Sequence, residues 1–356
     1  MADQRDGGIA WTDQTWNPIR GCSRVSPGCG GPNGGGCYAE AIAARFSDPG
    51  QPYNGLAKRT ADGPRWTGQV RLIPEVLDQP LRWRRPRRVF VNSMSDLFHE
   101  ALSNEDIAAV FGVMGAAPQH SFQVLTKRAM RMRNWFNWSE SFSDPWTECH
   151  ALALERDGPC EIIHKRSREA PLRPWSLPNV WLGVSVEDQQ RADERIPLLL
   201  QTPSAVRFLS CEPLLGPIDL SRWLACQCGL GPDPFKAPEQ HARGCPERDR
   251  LHWVVIGGES GPGARPMDFA WARSIIAQCR AIGVAVFMKQ AGALVVDSDR
   301  LVGIFAPHDA RSIKASAVLS RDDNPPHLVL MGDRKGGDPA EWPADLRVRE
   351  WPEVRP

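Results

Sequence analysis

Six short apolar runs, each rich in β-branched or aromatic residues, break off abruptly into a polar cluster. "VFV" gives way to "NSMSD" (89–96), "FQVL" to "TKR" (122–128) and "VWLGVSV" to "ED" (180–188). "VRFL" runs into "SCEP" (206–213), "WVVI" into "GGESG" (253–261) and "VAVFM" into "KQAG" (284–292). Runs that are apolar throughout, without alternation, predict strands covered on both faces, as in a parallel sheet. Segments of helical period lie between them. "SNEDIAAVFGVMGAAP" offers Asn104 as an N-cap, acids in the first turn, and one apolar face of Ile107, Val110, Phe111 and Met114. "MDFAWARSIIAQCRAIG" starts near Asp268 and stops at Gly283, a C′ glycine. Strand alternating with helix predicts an α/β fold, either a parallel (β/α) barrel or a doubly wound sheet. In both, the carboxyl ends of the strands form the functional face, and the polar clusters fall there. A seventh strand is expected within residues 8–19.

Two segments interrupt the rhythm. Residues 139–175 and 224–250 are polar and proline-rich, carry five of the ten cysteines, and read as insertions. From about residue 301 to 356 the pattern fades, which predicts an extended arm packed on a body formed by residues 1–300. At 356 residues, a single barrel of this kind is an ordinary size.

Composition narrows the chemistry. An apolar fraction of 42% with 24% charged residues fits a soluble domain with a sizeable core. The net charge is +1, so only local clusters can speak for or against nucleic acid. No run of eighteen apolar residues and no basic-then-apolar leader is seen, which predicts neither a membrane span nor secretion, and hence a cytoplasmic protein. In that compartment ten cysteines serve as thiols and metal ligands rather than disulfides.

Three of them, Cys22, Cys29 and Cys37, stand in a glycine- and proline-rich loop just after the expected first strand and just before a helical run. Clustered thiolates without a partner are costly, so bound metal is the natural occupant. Structural zinc wants four protein ligands, and no further Cys or His occurs between Cys37 and His99. An iron–sulfur cubane held by three cysteines instead leaves one iron open. A zinc loop completed by a distant ligand stays as the alternative.

Several stretches resemble a known family: "IAWTDQTWNPIRGC", "SPGC", "CYAE", "FVNSMSDLFHE", "LTKR", "NVWLGVSVEDQ", "SCEPLLGPIDL", "WVVIGGESG", "FMKQAG" and the tail "DRKGGDPAEWPADLRVREWP". They look like the phage-associated three-Cys-motif family, which is regarded as radical-SAM-like and is distantly similar to spore photoproduct lyase. The resemblance implies a partial or full TIM-like barrel of radical-SAM type and a [4Fe–4S] cluster on Cys22, Cys29 and Cys37. It also implies S-adenosylmethionine at the open iron, cleaved to a 5′-deoxyadenosyl radical. That family spaces its cysteines C-x6-C-x2-C. Here "GGPNGGG" lengthens the second gap to seven residues. Gly36 also fills the slot before the last cysteine where mainstream radical-SAM enzymes carry an aromatic, and Tyr38 follows it.

Strand-end logic then nominates the remaining site residues. Asn92, Ser93, Ser95 and Asp96 occupy the position that binds the methionine amino group in that architecture. Lys127, Ser185, Glu187, Gly257, Gly258 and Glu259 are further cofactor-binding candidates, while Glu212, Lys289 and Cys211 are catalytic ones. Lys127, Arg128 and Lys289 would place cations on the same face. For Asp96 and Glu259 the plain alternative is a cap or a salt bridge, and for Cys211 an inert buried thiol. Cys279 reads as core. Cys226, Cys228, His241 and Cys245 have finger-like outer spacing for a second, zinc site; Cys149, His150, Cys160 and His164 form a weaker set. "RWRRPRR" (82–88) precedes its strand, so a solvated charged face is expected at the far end of the barrel, with a peripheral DNA or RNA contact as the alternative. Trp11 and Trp16 are candidates for stacking near the cysteines.

These features predict a radical S-adenosylmethionine enzyme acting by hydrogen-atom abstraction, with nucleic-acid repair or modification as its substrate class and a partner protein encoded nearby. Two other classes fit the same residues: a zinc-stabilised, non-catalytic interaction protein of phage origin, or a metal-dependent barrel hydrolase using Glu212, Glu259 and Asp96.

Overall fold

The computed structural model describes residues 9–31, 34–141, 145–157, 177–224, 250–261, 263–299, 327–329 and 331–353. Seven strands form its main sheet: β1 (Gln14–Trp16), β2 (Arg88–Val91), β3 (Ser121–Thr126), β4 (Val180–Ser185), β5 (Val206–Cys211), β6 (Trp253–Gly257) and β7 (Ala285–Gln290). Every neighbouring pair is parallel, and the order across the sheet is the order along the chain. Each of the six apolar runs is a strand, and the seventh lies within residues 8–19. A doubly wound sheet would reverse its order at a switch point. This one does not reverse, and it curls into a half-barrel. The longer helices are α1 (Tyr38–Arg45), α2 (Asn104–Ala116), α3 (Ala129–Ser139), α4 (Pro145–Asp157), α5 (Gln189–Leu200) and α6 (Phe269–Arg280).

Period-two alternation sorts the strand side chains into two cores. Trp11, Phe90, Trp181, Phe208, Trp253 and Phe287 meet inside the curl. Their sequence neighbours, such as Val89, Val91, Leu182, Leu209, Val254 and Val286, face the helices. Each such large side chain contributes about 1.5–3 kcal/mol on burial, so both layers favour the curl. Gly183 marks the tightest point, because a Cβ there would lie 2.5 Å from the Phe208 ring.

The structure corrects two local readings. Ser103, not Asn104, caps α2: its hydroxyl accepts the Asp106 amide at 3.0 Å while its own backbone stays extended. The helix is also buried on all sides from Ile107 to Ala116, not along one face alone. The reason is α4, which belongs to the segment read as an irregular insertion. It packs on α2 so closely that a Cβ on Gly112 would sit 2.2 Å from the Cys149 carbonyl oxygen. Cys149 is accordingly core. Its proposed metal-site companions Cys160 and His164 lie outside the described residues, as do Cys226, Cys228, His241 and Cys245. For α6 the expected boundaries hold: Asp268 caps the start, accepting from the Ala270 amide at 2.9 Å, and Gly283 turns the chain with φ +71° just past its end.

Residues 331–353 run as an arm along β7. The Met288 amide donates to the Val348 carbonyl (2.8 Å) and the Glu350 amide to that of Val286 (2.9 Å), so the arm pairs antiparallel with the edge strand. Trp342 anchors it, buried to 1% exposure with its indole N–H on the Gly336 carbonyl at 2.9 Å. At the opposite end of the strands from the polar clusters, the "RWRRPRR" run is largely occupied within the chain. Arg88 pairs with Asp13 at 2.8 Å, and Arg87 donates to Gln14 at 3.0 Å. Among the described residues no helix is long and apolar enough to cross a membrane.

Replacing Trp342 by alanine is expected to cost about 3–5 kcal/mol. The measurement is a lowered denaturant midpoint, and an unchanged midpoint would show that the arm does not contribute to the folded body.

Candidate functional site

The three cysteines reach the carboxyl ends of the strands because the chain crosses over them as soon as β1 ends. Two devices shape the crossing. Gly21 sits at φ +92°, where a Cβ would lie 2.1 Å from the Gln69 carbonyl oxygen, so only glycine fits. Further on, the Gly28 amide donates to Glu187 Oε1 at 3.2 Å, and a Cβ on Gly28 would come within 3.0 Å of that carboxylate. Glu187 is fully buried, and Arg195 holds its other oxygen at 3.0 Å. Glu187 therefore anchors the cysteine loop and is not among the residues that line the cavity.

Cys37 is the residue before α1, where the first-turn amides of Ala39 and Glu40 favour its thiolate without making a capping hydrogen bond to its sulfur. Glu40, 1% exposed, accepts from the Trp66 amide at 2.7 Å and from Arg24 Nε at 3.0 Å. The Arg24–Glu40 pair thus staples the loop between the first two cysteines to the helix that follows the third. Sequence reasoning missed this pair: a glutamate in the first turn of a helix reads as a dipole partner, and nothing local points to Arg24.

A cavity of about 290 Å³ opens beneath the loop. Cys22, Cys29 and Cys37 line it on one side. Asn92, Ser93, Ser95 and Asp96 come from the end of β2, Lys127 and Arg128 from β3, and Ser185 from β4. Ser210 and Glu212 come from β5, Gly258 and Glu259 from β6, and Lys289 from β7. Trp11, Phe90 and Leu125 also line it, where the inner aromatic core meets the cavity. Trp16 lies instead in the outer core, with its indole N–H on the Val76 carbonyl at 2.8 Å.

Many of the polar candidates in this wall are already committed. Asp96 accepts from Thr126 Oγ1 (2.7 Å), the amides of Phe98 (3.0 Å) and Lys127 (3.1 Å), and Arg128 Nη1 (3.0 Å). Its carboxylate is saturated, so it organises the site rather than receiving a ligand. Glu259 is gripped by Arg265 through its amide, Nε and Nη2 at 2.9, 2.8 and 2.9 Å, the salt-bridge alternative. Ser93 and Ser95 donate to Asn17 Oδ1 (3.1 Å) and the Ile19 carbonyl (2.9 Å), tying β2 to the start of the cysteine loop. Gly257 and Gly258 leave room rather than cradle a ligand. A Cβ would lie 2.6 Å from Glu212 Oε1 in the first case and 2.1 Å from the Ala291 carbonyl oxygen in the second. Cys211 faces outward on β5, fully buried beside Cys279, with its thiol pushed up by burial. Its surroundings are those of the inert buried thiol, the plain alternative for this residue.

Other polar groups of the cavity wall are less fully committed. Asn92, 3% exposed and held at φ +60°, accepts the Ile19 amide through Oδ1 at 3.2 Å, while its Nδ2 has no partner. Lys289 Nζ stands 3.0 Å from Glu212 Oε1, and Ser210 donates to Oε2 at 3.2 Å. Lys127 Nζ donates to Ser185 Oγ at 3.0 Å.

Charge at the thiols is governed by burial. Cys22 is pushed up to about 12, first by desolvation and then by Asp96, with Arg128 opposing. Cys37 is also raised by burial, offset in part by the helix amides. Arg128 is the main counterweight. Its guanidinium reaches Cys22 Sγ at 3.9 Å, Glu100 at 2.7 Å, and the Ser23 carbonyl and hydroxyl at 3.1 and 2.8 Å. Among the described residues no three His, Cys, Asp or Glu side chains converge closely enough to hold a metal ion. The three thiols share one cavity without closing on one point.

Arg128→Met should destabilise the protein by about 3–5 kcal/mol, because it strands the buried Asp96 carboxylate. Urea unfolding measures this; a loss below about 1 kcal/mol, the scale of an exposed pair, would contradict the buried-clamp reading.

No curated protein and no solved structure matches the chain. One family model does, over residues 6–329, which takes in β1 to β7 and the whole cavity. The chain therefore belongs to the family described as "Protein of unknown function (DUF5131)".

Proposed function

We propose that this protein is an iron–sulfur enzyme of the radical S-adenosylmethionine type, with Cys22, Cys29 and Cys37 as the ligands of a [4Fe–4S] cluster. The observation that carries the reading is the convergence of three thiols from one loop on a cavity whose other wall is made of strand-end polar groups. A cubane hangs each cysteine on a different iron, so it asks for thiols arranged around a space rather than around a point. The resemblance to the three-Cys-motif family points the same way.

The chain's own groups suit such an occupant. Ligating thiols must be deprotonated, and burial alone resists that at Cys22 and Cys37. Arg128, Lys127 and the first-turn amides of α1 supply the compensating positive charge. Bound there, a cluster with one open iron would supply reductive cleavage of S-adenosylmethionine and hence a hydrogen-abstracting radical. Asn92 Nδ2 offers a buried donor to a carboxylate or carbonyl of the bound nucleoside. Glu212, paired with Lys289 at 3.0 Å, offers an acceptor for hydroxyl or amino protons. The aromatic layer of Trp11 and Phe90 excludes water from below. A hydrolase built on Asp96, Glu259 and Glu212 has less to support it, because each of these carboxylates is already paired with a cation.

Protein purified without oxygen should be brown, absorb near ~400 nm and carry about four irons per chain. Reduced protein should release 5′-deoxyadenosine from S-adenosylmethionine. Cys37→Ala should abolish both cluster and release, and Cys211→Ala should leave both intact. Colourless protein holding one zinc per chain, with no response to S-adenosylmethionine, overturns the proposal.

A further inference from the structure

Seven large apolar side chains stand exposed among the described residues, and four of them lie in the cysteine loop or along the helix that follows it. Val25 (41% exposed) lies in the cysteine loop; Tyr38 (53%), Ile42 (37%) and Phe46 (47%) follow it. The last three are spaced i, i+4, i+8, so they form one stripe along α1, about 12 Å long. The stripe begins at the cavity itself, because the Tyr38 ring lines the opening. Buried alanines, Ala39, Ala43 and Ala44, occupy the other face of α1 and pack on Trp66, so the helix is seated in the fold and the stripe is left over.

The charge around this stripe is unlike that of the rest of the chain. Between residues 17 and 72 there are seven cations, Arg20, Arg24, Arg45, Lys58, Arg59, Arg65 and Arg71, against three acids, Glu40, Asp48 and Asp62. That leaves an excess of four positive charges in a protein whose total is +1. Glu40 is buried and spent on Arg24. Arg45, Lys58, Arg59 and Arg71 are exposed, on α1 and on the hairpin of Ala57–Thr60 and Gly63–Trp66 and just beyond it. The surface therefore combines two exposed aromatic rings with a cationic rim. A protein interface asks for the reverse, a wide apolar centre with few charges. Aromatic platforms beside a basic groove are what single-stranded nucleic acid needs, since its bases are free to stack and its phosphates are drawn to the cations.

We infer that α1 and the adjoining hairpin bind single-stranded nucleic acid and bring the strand to the mouth of the cysteine cavity. The binding itself needs no cluster. Only the strand's role as substrate rests on the enzyme reading above.

Fluorescence anisotropy of the full chain with labelled oligonucleotides of about 20 nucleotides, DNA and RNA, single-stranded and duplex, tests this. Single strands should bind more tightly than duplex, with affinity falling as salt rises. Phe46→Ala should weaken binding roughly tenfold, the scale of one lost stack. Lys58→Glu with Arg59→Glu should flatten the salt dependence. Arg84→Glu with Arg85→Glu, at the far end of the barrel, should change nothing. Cys37→Ala should still bind; a protein that binds the strand but releases no 5′-deoxyadenosine keeps this inference and removes the enzyme reading. The inference is overturned if single strands do not bind, if duplex binds equally well, or if the Arg84/Arg85 variant loses as much as the hairpin variant. It is also overturned if Phe46→Ala leaves nucleic-acid binding intact but dissolves a dimer seen by sedimentation, which would make the stripe a contact between copies.

Discussion

A strand covered on both faces must send its side chains alternately to two different places, and in this protein those places are a helix-facing core and the inside of a half-barrel. The rest of the molecule follows from that division. On β5, Phe208 fills the interior, Ser210 and Glu212 continue the same row to the cavity, and Leu209 and Cys211 go to the other side. Two residues that are neighbours in the sequence thus have unrelated fates. The cavity exists because the inner row changes from aromatic to polar at the strand ends, as from Phe208 to Ser210 and Glu212 on β5 or from Phe90 to Asn92 on β2.

Above the sheet, ion pairs do the work that apolar packing does below. Arg128 with Asp96, Glu187 with Arg195, Glu40 with Arg24 and Glu259 with Arg265 each fix one segment of loop over the strand ends. Burying such charges is costly unless both partners are present and well hydrogen-bonded. Here each acid accepts more than one hydrogen bond. Preorganisation of this kind suits a site that must hold several thiols apart in a fixed arrangement, since a glycine-rich loop alone would wander.

The strands were legible because continuous apolar runs ending in polar clusters have few other interpretations, and strand–helix alternation marked them as parallel. The barrel choice over a doubly wound sheet was not legible: both share that alternation, and only the pairing order separates them. The candidate residues were legible as strand-end positions, but not in their roles. Asp96, Glu187 and Glu259 look like ligands in one dimension because their cationic partners, Arg128, Arg195 and Arg265, are identified only by folding. Ser103 and Asn104 are both good caps by residue type, and backbone geometry alone chose between them. The helix at Pro145–Asp157 was lost among polar residues, since its pattern makes sense only once α2 is seen to be covered on its second side.

The arm of residues 331–353 has a consequence for how the chain is made. It pairs with the exposed rim of β7, which would otherwise present a row of unsatisfied amides and carbonyls to any passing extended peptide. Yet it leaves the ribosome only after β7 itself, with residues 291–330 intervening. During that interval the nascent protein carries a sticky margin, and its escape from misassembly then depends on translation speed and on chaperones.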